Sequence, residues 1–175
     1  GVVDRIKLMT ERVKTPYAVL CPDDDFVGFN GLQFVVDFLQ SNPSYTSAQG
    51  LYTRFSKVPS TSYLQWSWDY CYSAGYTHDN NSAEQRIMAA TAHQIMHYCY
   101  SVMHLNGLRD SLAILNGVDE DNMSVSTFEL SFIYGLMTNG KHATLPVFFC
   151  GKEMQEARWE YVSFKAWVDT NSDTG

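Results

Sequence analysis

No run of about eighteen apolar residues occurs in this chain, so no segment reads as a membrane-spanning helix. Positive charge is scarce: 12 Lys and Arg stand against 19 Asp and Glu, a formal net charge of −7. A nucleic-acid surface needs clustered cations, and this balance argues against one. Charged residues of both signs make up only 18% while hydrophobic residues reach 45%, which excludes a disordered chain and fits one domain with its own core. The first residues carry charges throughout and no apolar stretch, so no signal peptide is legible and the chain reads as cytoplasmic. It begins on Gly1 rather than Met, as expected of a tag remnant, a processed end or a fragment. The cysteines Cys21, Cys71, Cys99 and Cys150 are scattered without a C-x-x-C pair and read as reduced thiols, with no spacing that supports a disulfide. There is no G-x-S-x-G elbow, no G-x-G-x-x-G turn and no P-loop. Any bound phosphate would therefore be held through a metal or through scattered donors.

What the chain does have is a triple aspartate, Asp23-Asp24-Asp25, directly after the apolar run Tyr17–Cys21 and one proline. Adjacent like charges repel, and no basic residue follows closely to pair with them. On an extended segment Asp23 and Asp25 point the same way and Asp24 points away. Two carboxylates converging at a strand end suit Mg²⁺ or Mn²⁺, which can in turn carry a diphosphate. The bland alternative is a solvated acidic turn.

Hydrophobic periodicity predicts an α/β order around this turn. A short helix is expected from Asp4 to Val13, broken at Thr15-Pro16. Tyr17–Cys21 reads as a fully buried, parallel-type strand. A second helix enters at Phe29-Asn30-Gly31, carries the stripe Leu32, Val35, Val36 and Leu39, and ends at Asn42-Pro43; Ala48 to Phe55 follows as a strand. Residues 56–82 read mainly as loop. A long helix is expected from Ala83, N-capped by Ser82, to about Leu105, then a short one over Leu108–Leu115. Another helix, capped by Ser126 or Thr127, runs through Phe128 and Met137 to a stop at Asn139-Gly140. His142–Cys150 reads as an edge strand because of Pro146, and Glu153 to Val168 as an amphipathic tail.

Three further groups stand out. The aromatic segment Tyr63–Tyr70 places Trp66, Trp68 and Tyr70 as candidates for stacking on a sugar acceptor, against partial burial at a seam. His93, His97, Tyr100 and His104 share a face of the expected long helix, opposite its apolar stripe. His93 and His97 could bind a transition metal, though a solvated or partner-covered face is the simpler reading. Asp79, Glu84 and Arg86, at the entrance to that helix, form a candidate acceptor-side polar cluster.

The ordered stretch Glu11–Phe26 with its D-D-D-F box, then Gly31-Leu32, Leu39–Pro43 and Ala48-Gln49-Gly50, resembles the centre of family 2-type glycosyltransferases, most closely a bacterial branch with that box. The detailed match covers residues 5–55 and a looser one Glu84–Leu112 and Glu129–Lys152. The resemblance implies a GT-A-like fold, a mixed sheet flanked by helices, and transfer of a sugar from a nucleotide-diphosphate donor to a hydroxyl acceptor. It implies Mg²⁺ or Mn²⁺ as cofactor, with Asp25 on the metal, Asp23 shared between metal and donor, and Asp24 on the donor side. Glu129 would be the general base, against the simpler role of a carboxylate near a positive helix N-terminus. The family's nucleotide-base half, which precedes the aspartate box, has no counterpart before Asp23. Residues 1–175 would then be a single domain corresponding to the C-terminal part of a transferase domain, or a relative lacking the other half. Oligomerisation stays open. Two other classes compete: a non-catalytic carbohydrate-binding or interaction domain on the same scaffold, and a metal-dependent hydrolase that brings His78 and Asp79 to Asp23.

Overall fold

A computed structural model describes residues 2–67, 76–92, 98–116, 118 and 124–154. Helix α1, Val2–Arg12, has Asp4 in its first turn and Arg12 in its last, each matched to the helix dipole. Strand β1 is Tyr17–Val19, β2 is Phe26–Val27, and α2 is Phe29–Ser41. Strand β3, Tyr45–Lys57, is long, and β4 is Leu64–Ser67. Helix α3 is Ala83–Ala92, and a 3₁₀ turn at Tyr98–Tyr100 leads into β5, Val102–His104. Helices α4, Leu105–Ala113, and α5, Val125–Asn139, precede β6, Lys141–Glu153.

The fold is mixed α/β. One curled sheet runs in the order β1-β5-β3-β6-β2, with β4 paired to the end of β3. Among the described residues only β3 and β6 pair in parallel, and the other pairs are antiparallel. Helix α2 covers one face, burying Val35 and Leu39 against Ala48, Tyr52, Val102 and Phe149. The other face is covered by α1, α3, α4 and α5, around Met103, Leu108, Leu112, Phe132, Ile133 and Leu136. Neighbouring Val102 and Met103 enter opposite cores, as strand alternation requires.

Several sequence expectations change here. The run after Pro16 is not a buried parallel strand. Strand β1 is half-buried at the end of the sheet's strand order and antiparallel to β5, with Tyr17 opposite His104. Nor does the helix starting at Ala83 reach Leu105. It is described only to Ala92, and Val102–His104 are drawn into the sheet between β1 and β3. Tyr98, Val102 and Leu105, at helical spacing, are buried all the same, but by a 3₁₀ turn, a strand and the next helix, because strand pairing here outweighs local period. Tyr100 and His104 therefore lie on a 3₁₀ turn and a strand, not on one helical face; His93 and His97 lie outside the described residues. The cap of α5 is Ser124, whose Oγ accepts from Thr127 N–H at 3.1 Å.

Strand β6 is not an edge strand either: it lies between β3 and β2. Its proline falls where the register jumps from Gln49 opposite Thr144 to Leu51 opposite Phe148, a bulge that needs no donor from Pro146. Beside it, a Cβ on Gly31 would collide with the Phe148 carbonyl oxygen. Helix α2 thus packs on β6 through bare backbone. Gly31→Ala is expected to lower the unfolding free energy by about 2 kcal/mol, the usual scale of overpacking, as read by urea denaturation.

Candidate functional site

The acidic turn is built by a hydrogen bond from Asp25 N–H to Pro22 O, 3.3 Å long. The segment is a turn rather than an extended stretch, so its carboxylates do not alternate. Asp23 is exposed and Asp24 half-buried. Asp25 is directed inward, its side chain only 1% exposed. Its Oδ1 accepts from Glu153 N–H at 3.0 Å. Its Oδ2 lies 3.1 Å from Lys152 Nζ, an ion pair outside hydrogen-bond geometry. The basic partner missing from the local sequence thus arrives from the far end of β6.

Lys152 leads onward into the protein. Its ammonium sits 4.1 Å from the centroid of the Tyr100 ring, within range of a cation–π contact. The Tyr100 hydroxyl donates to Glu129 Oε1 at 3.1 Å, and Cys99 Sγ lies 3.8 Å from the same oxygen. Glu129 is buried near the start of α5. Burial above all, with Cys99 and Glu129 beside it, raises the Tyr100 phenol well above its ordinary range, so it stays a donor. Cys99 is raised by burial first and by Glu129 next. Burial, Asp25 and other neighbours push Cys150 up to about 12. Cys21, Cys99 and Cys150 are thiols, held protonated by their surroundings; Cys71 lies outside the described residues.

Beside the acidic turn lies an aromatic shelf. Phe26 stands 5.8 Å from Trp66 in an edge-to-face contact, and Phe148 lies 6.3 Å from each of them. All three are exposed by more than a third. Trp66 therefore neighbours the turn, while Trp68 and Tyr70 lie outside the described residues.

Neither a protein-family model nor any curated protein matches this chain. The site must be judged on its own chemistry.

The remaining predicted residues are elsewhere. Arg86 is buried, and its guanidinium donates to Met137 O at 2.8 Å, Asn80 O at 2.7 Å, Asn81 O at 3.0 Å and Thr138 O at 3.4 Å. These donors close the C-terminal end of α5, opposite the end that carries Glu129, and are not available to a sugar. Asp79, before α3, and Glu84, in its first turn, are exposed, in the same region as Arg86. His78 is bridged to His142 near the start of β6, whereas Asp25 meets Lys152 and Glu153 at its end. Ten residues of strand separate the two, roughly 30 Å at about 3.3 Å each. That separation removes His78 as a ligand alongside the aspartates, as the hydrolase reading required.

His78 instead belongs to a buried latch. Its Nε2 lies 3.1 Å from Tyr98 Oη, and the Tyr98 ring stacks on His142 at 4.0 Å. His142 Nδ1 lies 2.8 Å from Ser47 Oγ, while its Nε2 has no hydrogen-bond partner among the described residues. Burial, then His78, lowers the His142 pKa well below its ordinary value. The folded protein thus refuses a proton that the unfolded chain accepts below about pH 6.5. The associated stability is fully present above that pH and is lost as pH falls, by at most about 1.4 kcal/mol per pH unit for one site. Thermal melts from pH 7.5 to 5 are expected to fall more steeply for the wild type than for His142→Gln.

A divalent cation fits this site only in reduced form. Among the described residues, no three His, Cys, Asp or Glu side chains converge as a metal-holding group. Both Asp25 oxygens are engaged within the protein. Asp23 is exposed, and Mg²⁺ characteristically takes one or two carboxylates, completing its shell with water and substrate phosphate.

Proposed function

We propose that this chain takes part in glycosyl transfer from a nucleotide-diphosphate sugar to a hydroxyl acceptor, with Glu129 as the general base. One observation supports the reading above all. The acidic turn and Glu129, far apart in sequence, meet through a single chain of contacts: Asp25, Lys152, Tyr100, Glu129. The resemblance to family 2-type glycosyltransferases names the same two carboxylate positions for one reaction.

In this reading Glu129 takes the proton from the acceptor hydroxyl as that oxygen attacks the donor sugar. Tyr100 orients the carboxylate by donating to Oε1. Asp23 and Asp24 would hold Mg²⁺ or Mn²⁺, which supplies positive charge to the departing diphosphate. The shelf of Phe26, Trp66 and Phe148 offers aromatic faces to an acceptor sugar ring next to the turn. A cytoplasmic location goes with this reading, since nucleotide sugars are drawn from that compartment's pool. The test is release of nucleoside diphosphate from a panel of nucleotide sugars with Mn²⁺, dependent on an added saccharide acceptor. Absence of both acceptor-dependent release and donor binding in calorimetry sinks it.

The exposed shelf favours a second reading, saccharide binding without transfer. Saccharide affinity that falls on Trp66→Ala, without any diphosphate release, would select it.

A further inference from the structure

We propose that Lys152 is the built-in counter-ion of the acidic turn, so that Asp25 is a structural anchor and not a metal ligand. Burial carries the first step. Lys152 is 4% exposed overall, and the Asp25 side chain is 1% exposed. A carboxylate and an ammonium out of water must be compensated by each other and by polar neighbours. Here each Asp25 oxygen has a neighbour: the Lys152 ammonium 3.1 Å from Oδ2, an ion pair outside hydrogen-bond geometry, and the Glu153 N–H, which donates to Oδ1. A divalent cation reaching Asp25 would have to break the ion pair and strand an ammonium against Tyr100.

Topology carries the second step. Phe26 of β2 pairs with Gly151, and a Cβ on Gly151 would collide with the Phe26 ring. That contact sets the register in which residue 25 meets residues 152 and 153. The ion pair therefore fastens the acidic turn to β6 and, through the Tyr100 ring, to the buried Glu129. Asp23 is the exposed carboxylate of the turn. This assignment refines the transferase reading by removing one ligand from its metal, but the anchor itself does not depend on transfer.

The experiment uses the full chain, Mn²⁺ alone as the probe, and three variants: Asp25→Asn, Lys152→Met and the double. Calorimetry is expected to show Mn²⁺ affinity changed less than twofold by Asp25→Asn. Each single variant is expected to lower Tm by about 10 °C, as removal of one buried partner should in a domain of this size. The double variant is expected to recover at least half of the summed loss, because neither charge is then left buried alone. A single variant that fails to fold while the double folds is the same result in stronger form. A tenfold loss of Mn²⁺ affinity on Asp25→Asn overturns the proposal, as does additivity of the two substitutions or a double variant that fails to fold. No readout needs turnover, so an absence of sugar transfer would count against the transferase reading and leave this one standing.

Discussion

Glu129→Gln is expected to reduce acceptor-dependent sugar transfer by about 10²–10⁴-fold, the range that loss of a general base produces. The substitution preserves size and keeps an oxygen that can accept from the Tyr100 hydroxyl. The fold should therefore survive, and Tm should shift by only a few degrees. What disappears is the capacity to take a proton. Donor affinity is expected to stay within a few-fold, because the diphosphate is assigned to the acidic turn and not to Glu129. A kcat collapse with unchanged donor binding is the signature to look for in initial-rate kinetics. Transfer at wild-type rates would remove Glu129 from the chemistry and leave it as a helix-terminal carboxylate.

Arg86→Ala is expected to lower stability by about 3–4 kcal/mol in denaturant unfolding. The guanidinium makes four contacts with backbone carbonyls, two of them at the end of α5 and two on the loop before α3. Hydrogen bonds to a charged donor contribute about 1.5–3 kcal/mol, and the stranded carbonyls of a helix end add their own desolvation cost. The positive charge also faces the negative end of the α5 dipole. Lys at this position keeps the charge but loses the planar fork, so Arg86→Lys should forfeit about half as much. Were Arg86→Ala to leave Tm unchanged while weakening acceptor binding, the acceptor-side role expected from the sequence would be restored.

Much of the local structure was legible. Helix α2 follows its stripe, with Val35 and Leu39 buried, and Asn42-Pro43 ends it. Asn139-Gly140 ends α5. Long helical period misled at Ala83–Leu105, where Val102 and Met103 satisfy strand pairing on both sides. Pro146 misled as well, because a bulge absorbs its missing donor in the interior of the sheet. Arg86 read as part of an acceptor-side polar cluster, since nothing in its neighbourhood announces the end of a helix about fifty residues later, a separation of 51 to Met137.

The site divides along the same line. The cluster Asp23-Asp24-Asp25 and the turn-forming proline before it could be picked out from residue type and order, whereas Glu129 as candidate base came from the family resemblance. Short-range chemistry determines the first two: turn propensity and adjacent like charges. The partner of each carboxylate was decided only by tertiary structure. Lys152 reaches Asp25, and Tyr100 reaches Glu129, because β6 crosses the sheet beside β2 and a 3₁₀ turn places Tyr100 between them. An ion pair's strength depends on distance and dielectric, and neither is a property of sequence separation. Composition and pattern alone determined that the chain gathers carboxylates at a strand end; packing determined that one of them already has its cation.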